Sequence, residues 1–322
     1  MASIGASPEV EALARVYLGI RIWGAPAAIA SYALTGWLIA MERAKGVLVL
    51  QVVTNAVNVV LDLWFVLGLG WGVAGVGFAT LIADWSGLLL GLWLCRDAFQ
   101  GAQWRAWGRV FDPARLKVMA RVNGDILIRS VILQASFTSF LFLGAGLGDV
   151  TLAANQVLLQ FLSITAYALD GFAFAAEALV GQTMGRRDRA GLRRAAVITS
   201  EWGVGAAVAM AAVFLFAGPW LIDLMATAPE VRAAARGYLG WVAAAPLIGI
   251  AAWMLDGIFI GATETRALRN AMGVSVAVYA AAVAIMLPRW GNDGLWAALM
   301  VLNLTRGVTL GARYPALEAR AG

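Results

Sequence analysis

Residues 153–182, AANQVLLQFLSITAYALDGFAFAAEALVGQ, place two carboxylates inside an apolar run. Gln156, Gln160, Ser163, Tyr167, Asp170 and Glu177 recur at steps of three, four and seven. At about 3.6 residues per turn such steps fall on one stripe of a helix. Polar groups are costly in hydrocarbon, so the stripe must face protein or trapped water. A carboxyl held there can exchange a proton or hold a cation, which is the chemistry of coupling and transport rather than of covalent catalysis. The alternative is that these groups only join helices. Asp and Glu are dearer in hydrocarbon than Gln or Ser, which favours function.

A second stripe runs through Gln51, Asn55, Asn58 and Asp62 at steps of four, three and four. Burial favours a neutral Asp62 and a nearby cation favours its ionised form, so it can trade a proton or hold Na+, with Asn carbonyls as neutral oxygen ligands. A polar packing cluster is the rival reading. Thr80 and Asp84 share a face of the next segment and are candidates to line the same cavity. Asp125 and Arg129 are four apart on one helix face and are expected to neutralise each other, a structural pair. Asp170 and Asp256 are each followed by Gly, which admits a close helix, and they are the best acids of the C-terminal part for a cationic substrate or a second coupling ion. Glu177 is expected near a membrane surface, in gating or in a bridge to Arg186 or Arg187. Tyr167, Phe172, Phe174, Trp241 and Trp253 could line a cavity for flat cations. Met254 and Met300 read as core.

These residues need membrane elements to hold them. The chain is 61% hydrophobic and 13% charged, where a soluble domain is about a quarter charged. It has one cysteine and no histidine. An internal disulfide, a thiolate metal cluster, histidine-ligated metal and Ser-His-Asp or Cys-His catalysis are therefore excluded. No phosphate-binding glycine loop is present, so ATP is not a direct energy source, and an enzyme is not expected. No cofactor is expected beyond a coupling ion, H+ or Na+, the latter at Asp62 or Asp256.

Apolar runs predict nine helices, at 17–40, 47–68, 73–94, 124–146, 151–180, 194–216, 237–261, 270–288 and 294–312. The charged stretch 96–121 reads as a linker, with an amphipathic piece on the membrane surface. The organisation expected is a three-helix unit over 1–95, that linker, and a six-helix unit over 122–322. Lys and Arg fall in alternate loops, among them Arg43, Lys45, Arg96, Arg105, Arg186, Arg187, Arg266 and Arg313. This positive-inside bias puts those loops and the C-terminus in the cytoplasm of a cell (inner or plasma) membrane protein. The net charge of +5 follows from those loops and does not signal nucleic acid.

The chain repeats itself. Residues 8–19, PEVEALARVYLG, match 229–240, PEVRAAARGYLG. Pro26 corresponds to Pro246 with a one-residue slip, Gly36-Trp-Leu-Ile to Gly257-Ile-Phe-Ile, and Gly72-Val-Ala-Gly75 to Gly291-Asn-Asp-Gly294. Both copies start on the same side, so the repeat is parallel. Helices four to six have no counterpart. A six-plus-six protein whose first three helices lie outside this chain is the simplest inference.

Asn55-Ala-Val-Asn58-Val-Val-Leu-Asp62, Ala153-Ala-Asn-Gln156, Leu169-Asp-Gly-Phe-Ala-Phe-Ala-Ala-Glu177 and Leu255-Asp-Gly-Ile-Phe-Ile-Gly261 resemble the MATE family, multidrug and toxic compound extrusion transporters, and within it the DinF-like branch. The resemblance covers nearly the whole chain. It implies an all-α, two-lobe polytopic bundle whose N-lobe is incomplete. It implies a secondary active antiporter that exports small organic, cationic xenobiotics by alternating access, as a monomer in the bilayer. It carries an N-lobe cation site onto Asn58 and Asp62, raises Asp256 as a second coupling acid, and leaves Asn55, Gln156, Gln160, Tyr167, Asp170 and Asp84 as cavity residues. The family's first helix supplies a further aspartate with no counterpart here. Two rivals remain: a flippase-like relative for lipid-linked or polysaccharide substrates, whose cavity would be denser in Arg, and an inactive truncated remnant.

Overall fold

A computed structural model describes residues 8–100 and 102–322; the first seven residues of the expected N-terminal unit lie outside them. Every regular element described is helical. Among the described residues eight segments are long and apolar enough to cross a membrane. The last of them, Thr265–Ala319, is 55 residues long, far more than one crossing requires. It breaks at Gly291 (φ 55°, ψ −129°), between the positions of the last two of the nine spans that hydropathy predicts. Contacts divide the chain into two compact units, Met1–Asp112 and Pro113–Gly322.

The N-terminal unit contains α1 (Pro8–Arg21), α2 (Ala25–Ala40), α3 (Ala44–Asp62) and α4 (Gly72–Leu94). A 3-10 turn, Ile22–Gly24, separates α1 from α2. Pro26 explains it, because its ring collides with the carbonyl four residues back, at Ile22. A π-helical turn, Leu63–Gly68, continues α3 directly after Asp62. The centre of the unit is α4, whose Gly75, Ala79, Ala83, Gly87 and Gly91 are buried at steps of four. Small residues let backbones approach in a membrane, where no hydrophobic force draws helices together. A Cβ on Gly91 would meet Leu34 of α2 at 2.9 Å, and one on Gly77 would meet Ile20 of α1 at 3.3 Å. Leu38, Leu50 and Cys95 close the core at the far end of α4. Burial pushes the Cys95 thiol up, against the opposing pull of Arg43.

Two 3-10 turns and a short α5 (Trp107–Val110) follow. The expected linker ends early. Pro113 begins α6 (Pro113–Ala145), so 113–121 are helix. Proline suits a first helical turn, where its missing N–H is no loss.

The C-terminal unit packs α6, α7 (Asp149–Arg186), α8 (Arg189–Met225), α9 (Pro229–Gly261), α10 (Thr265–Gly311) and α11 (Tyr314–Ala319). Its central helix is α9, in contact with α7, α8 and α10. One core gathers Phe140, Phe161, Phe214 and Trp296; another gathers Val180, Met254, Phe259 and Leu268. Met254 and Met300 are both buried in core. Gly257 and Gly261 sit where α9 crosses α7: a Cβ on either would lie 2.3 Å from the carbonyl oxygen of Ala173 or of Glu177. Gly171 does not act this way, since no atom stands within 4 Å of its Cβ position.

The repeat is visible in backbone detail. Gly72 (φ 53°) and Gly291 (φ 55°) both adopt the left-handed region. Three residues later, Gly75 packs on Phe65 and Gly294 on the Met286 carbonyl. Elsewhere the copies diverge. Pro246 lies inside an unbroken α9, whereas the helix breaks ahead of Pro26. Gly36 meets nothing within 4 Å, although its counterpart Gly257 touches α7.

Candidate functional site

In the N-terminal unit, α3 and α4 bring Asn58 and Thr80 together, the amide Nδ2 donating to Oγ1 at 3.3 Å. Thr80 passes its own proton to the Val76 carbonyl at 2.9 Å. One turn along α3, at the start of the π segment, half-buried Asp62 keeps Oδ1 buried without a hydrogen-bond partner. An unmet carboxylate oxygen away from water is expensive, and a bound proton or cation would meet it. Asn58 and Asp62 stand one turn apart on α3, and Thr80 meets the first of them. Asn55 is exposed and donates back to the Gln51 carbonyl at 2.8 Å.

Asp84 is drawn elsewhere. Arg21 of α1 donates to it at 2.6 Å, and together with Gln51, Ser31 and Thr54 it lines a small cavity of about 160 Å3. Neither Asn58 nor Asp62 belongs to that lining, so the stripe on α3 serves two places. Sequence reading did not pair Arg21 with Asp84, because the contact spans 63 residues and no local period encodes it.

In the C-terminal unit the expected partnership of Asp125 and Arg129 is not formed. Asp125 Oδ1 accepts from Arg269 of α10 at 2.6 Å and Oδ2 from Thr265 at 3.3 Å. Arg129 instead donates to Asp256 of α9. Both bonds run between helices, and each has a well-buried carboxylate, where a charge-assisted bond is strongest. Asp256 accepts a second guanidinium, Arg306 of α10, at 2.5 Å, with the two side chains 9% and 4% exposed. The role expected for Asp256, a free coupling acid, does not match this geometry: two cations already satisfy its charge.

Arg306 also donates from Nη1 to Asn303 Oδ1 at 3.1 Å. The Nε atoms of Arg129 and Arg306 are buried without partners. Asp170 is half-buried, within electrostatic reach of Arg129 and Asp256. Beside Arg306 lies a cavity of about 450 Å3. Gln160, Ser163 and Trp253 line it as expected residues, joined by Gln134, Phe137 and Asn303. Gln156 and Tyr167, expected there, are exposed and outside the lining. Phe172 and Phe174 are absent from it, and Trp241 is occupied by a bond to Asp293 at 2.8 Å. Among the described residues Glu177 makes no bridge to Arg186 or Arg187, which stand about 14 Å further along α7 at 1.5 Å per residue.

Two groups were missed by the sequence reading. Arg306 lies in the apolar run Val301-Leu302-Asn303-Leu304-Thr305-Arg306, and an arginine inside a span is as strong a signal as an aspartate. Glu201, amid the apolar residues of α8, lines a groove of about 840 Å3 with Arg193, Leu255 and Tyr314.

A family model, MatE, matches residues 126–286. DNA damage-inducible protein F of Escherichia coli is 38% identical over 323 residues, 96% of this chain and 67% of that protein. Protein DETOXIFICATION 44, chloroplastic, of Arabidopsis thaliana is 26% identical, over 93% of this chain and 57% of its own length. The structure of a mutant of the Vibrio cholerae MATE transporter VcmN matches with a TM-score of 0.87 at 19% identity, covering 97% of this chain and 71% of that one. The chain thus spans about two thirds of the first relative and little more than half of the second.

Proposed function

This chain belongs to the MATE family, a family of multi-pass membrane transporters rather than enzymes, and we propose that it is part of a secondary active exporter of small organic compounds. An inward gradient of H+ or Na+ drives the export. The intact protein alternates between two arrangements of its helical units in a cell (inner or plasma) membrane, with the C-terminus of this chain in the cytoplasm. An ion drives such a cycle only by binding one arrangement better than the other.

One observation carries this reading: the buried, unpartnered carboxylate oxygen of Asp62, one turn from the Asn58–Thr80 pair. A group left unmet inside a membrane protein supports a site that an ion completes. Asn58, Asp62 and Thr80 are the ligands this reading assigns. Asp256 serves instead as the hub of a fixed ion cluster. Support for a cationic substrate is weaker than the sequence suggests, because Asp84, Asp125 and Asp256 are each met by arginine.

The test is transport by the full-length protein in everted vesicles, with Asp62→Asn and Asp256→Asn compared. Loss of gradient-driven export in Asp62→Asn, with the protein still folded, is the expected result. Normal export by that variant would refute the assignment.

A further inference from the structure

We propose that the cavity beside Arg306 takes an organic anion or zwitterion, a flat apolar body bearing a carboxylate, sulfonate or phosphate, as the ligand of this protein; the idea that this ligand is exported rests on the function proposed above.

Charge and geometry both point there. Among the described residues Arg306 is the only charged group in the lining of the cavity of about 450 Å3. Its side chain is 4% exposed, and its Nε N–H has no partner. Its one carboxylate, Asp256, is shared with Arg129, whose Nε is likewise unmet. Two buried guanidiniums share that carboxylate, so Arg306 does not have Asp256 to itself. Asp170 is the other acid nearby. It lies within electrostatic reach of Arg129 and Asp256, and among the described residues it accepts no hydrogen bond from either. Asp256 and Asp170 both lie outside the lining of the cavity, so among the described residues Arg306 stands there with no acid beside it.

A buried charge of this kind is stabilised by an opposite charge and opposed by a like one, most strongly where water is excluded. Guanidinium groups present forked donors suited to carboxylate, sulfonate or phosphate oxygens. The amides of Gln134 and Gln160 add donors at the same wall, while Phe137 and Trp253 offer faces for an aromatic body. The volume falls in the range of small-molecule sites. An organic cation in this space would instead face Arg306 with no free acid to receive it.

Three probes with one aromatic body test this: naphthalenesulfonate, naphthylmethylammonium and naphthalenemethanol. Binding to the purified full-length protein in detergent is measured by calorimetry. The sulfonate should bind at least about tenfold more tightly than the ammonium, with the alcohol between. Arg306→Gln should erase the preference and Arg306→Lys should keep part of it. In Gln160→Cys, the sulfonate should shield the new thiol from maleimide and the ammonium should not. Equal or tighter binding of the ammonium by the wild-type protein, which needs no variant to fold, would overturn the proposal. So would unprotected Gln160→Cys. Binding at equilibrium requires no gradient. Anion binding without vesicle transport would therefore refute the exporter reading alone, and cation export without an anion preference would refute this inference alone.

Discussion

The carboxylate of Asp256 on α9 receives Arg306 of α10 at 2.5 Å, with both side chains at least nine-tenths buried. Arg129 of α6 reaches the same carboxylate. Three helices are tied at one point in the middle of an apolar unit. A pair like this contributes little over a hydrophobic replacement, but removing one partner leaves a buried charge exposed to nothing.

Asp256→Asn should therefore destabilise the protein by about 3–5 kcal/mol, since two guanidiniums lose their common counter-charge. Asp256→Asn with Arg306→Gln should recover part of that loss, because one of the two stranded charges goes with it. Thermal unfolding in detergent reads both. A single variant as stable as wild type would show that the cluster does not hold the unit together.

Asp62→Asn should cost no more than about 1 kcal/mol, because the buried oxygen has no hydrogen bond to lose. Stability and coupling should separate at this position: melting unchanged, gradient-driven export gone. Severe unfolding of Asp62→Asn would mean that the carboxylate has a structural partner after all.

The two glycines that follow acids should behave oppositely. Gly257→Ala drives a Cβ to 2.3 Å from the Ala173 carbonyl oxygen, forcing α7 and α9 apart at a cost of about 1–3 kcal/mol. Gly171→Ala meets open space and should be neutral or gain up to about 1 kcal/mol from helix propensity. Melting temperatures shifted the same way by both would contradict the helix crossing described.

Gly72→Ala and Gly291→Ala should each lose about 1–3 kcal/mol, since both positions require a left-handed backbone. Gly291 suffers more: φ 55° with ψ −129° lies in territory essentially confined to glycine. Equal tolerance of alanine at both sites, seen in the same melting assay, would remove the conformational reason for the repeat.

Cys95 should react with maleimide at least about tenfold more slowly than a thiol introduced at exposed Gln100, because it is 1% exposed and its thiolate is disfavoured. With its pKa raised, the thiolate fraction grows only as pH climbs above the usual thiol range, so the gap should narrow at high pH. Comparable rates at neutral pH would contradict its burial in the core of the N-terminal unit.

Much of the fold was legible because bilayer constraints are local. A span must be about 20 apolar residues with its backbone bonds closed within itself, and those runs are written in order along the chain. The repeat was legible for a similar reason: Gly72 and Gly291 answer to backbone geometry at one residue. The site was legible only in part. The stripe Gln51–Asn55–Asn58–Asp62 correctly shares one helix, yet Asn58 found Thr80 while Asp84, one turn beyond Thr80, turned to Arg21. Asp125 found Arg269 across 144 residues, past the arginine one turn away.

Taken alone, the order of residues determines that this is a multi-pass helical membrane protein with an internal sequence repeat and acids on common helical stripes, since hydropathy and helical period act within a single segment. Which charges meet depends on how helices rotate and cross, and that was settled only by packing. Glycines at 257 and 261 let α9 lie against α7, and in that packed unit Asp256 comes within reach of two arginines. A carboxylate that reads as free in one dimension is neutralised in three, while Asp62, similar in sequence, keeps its oxygen unmet.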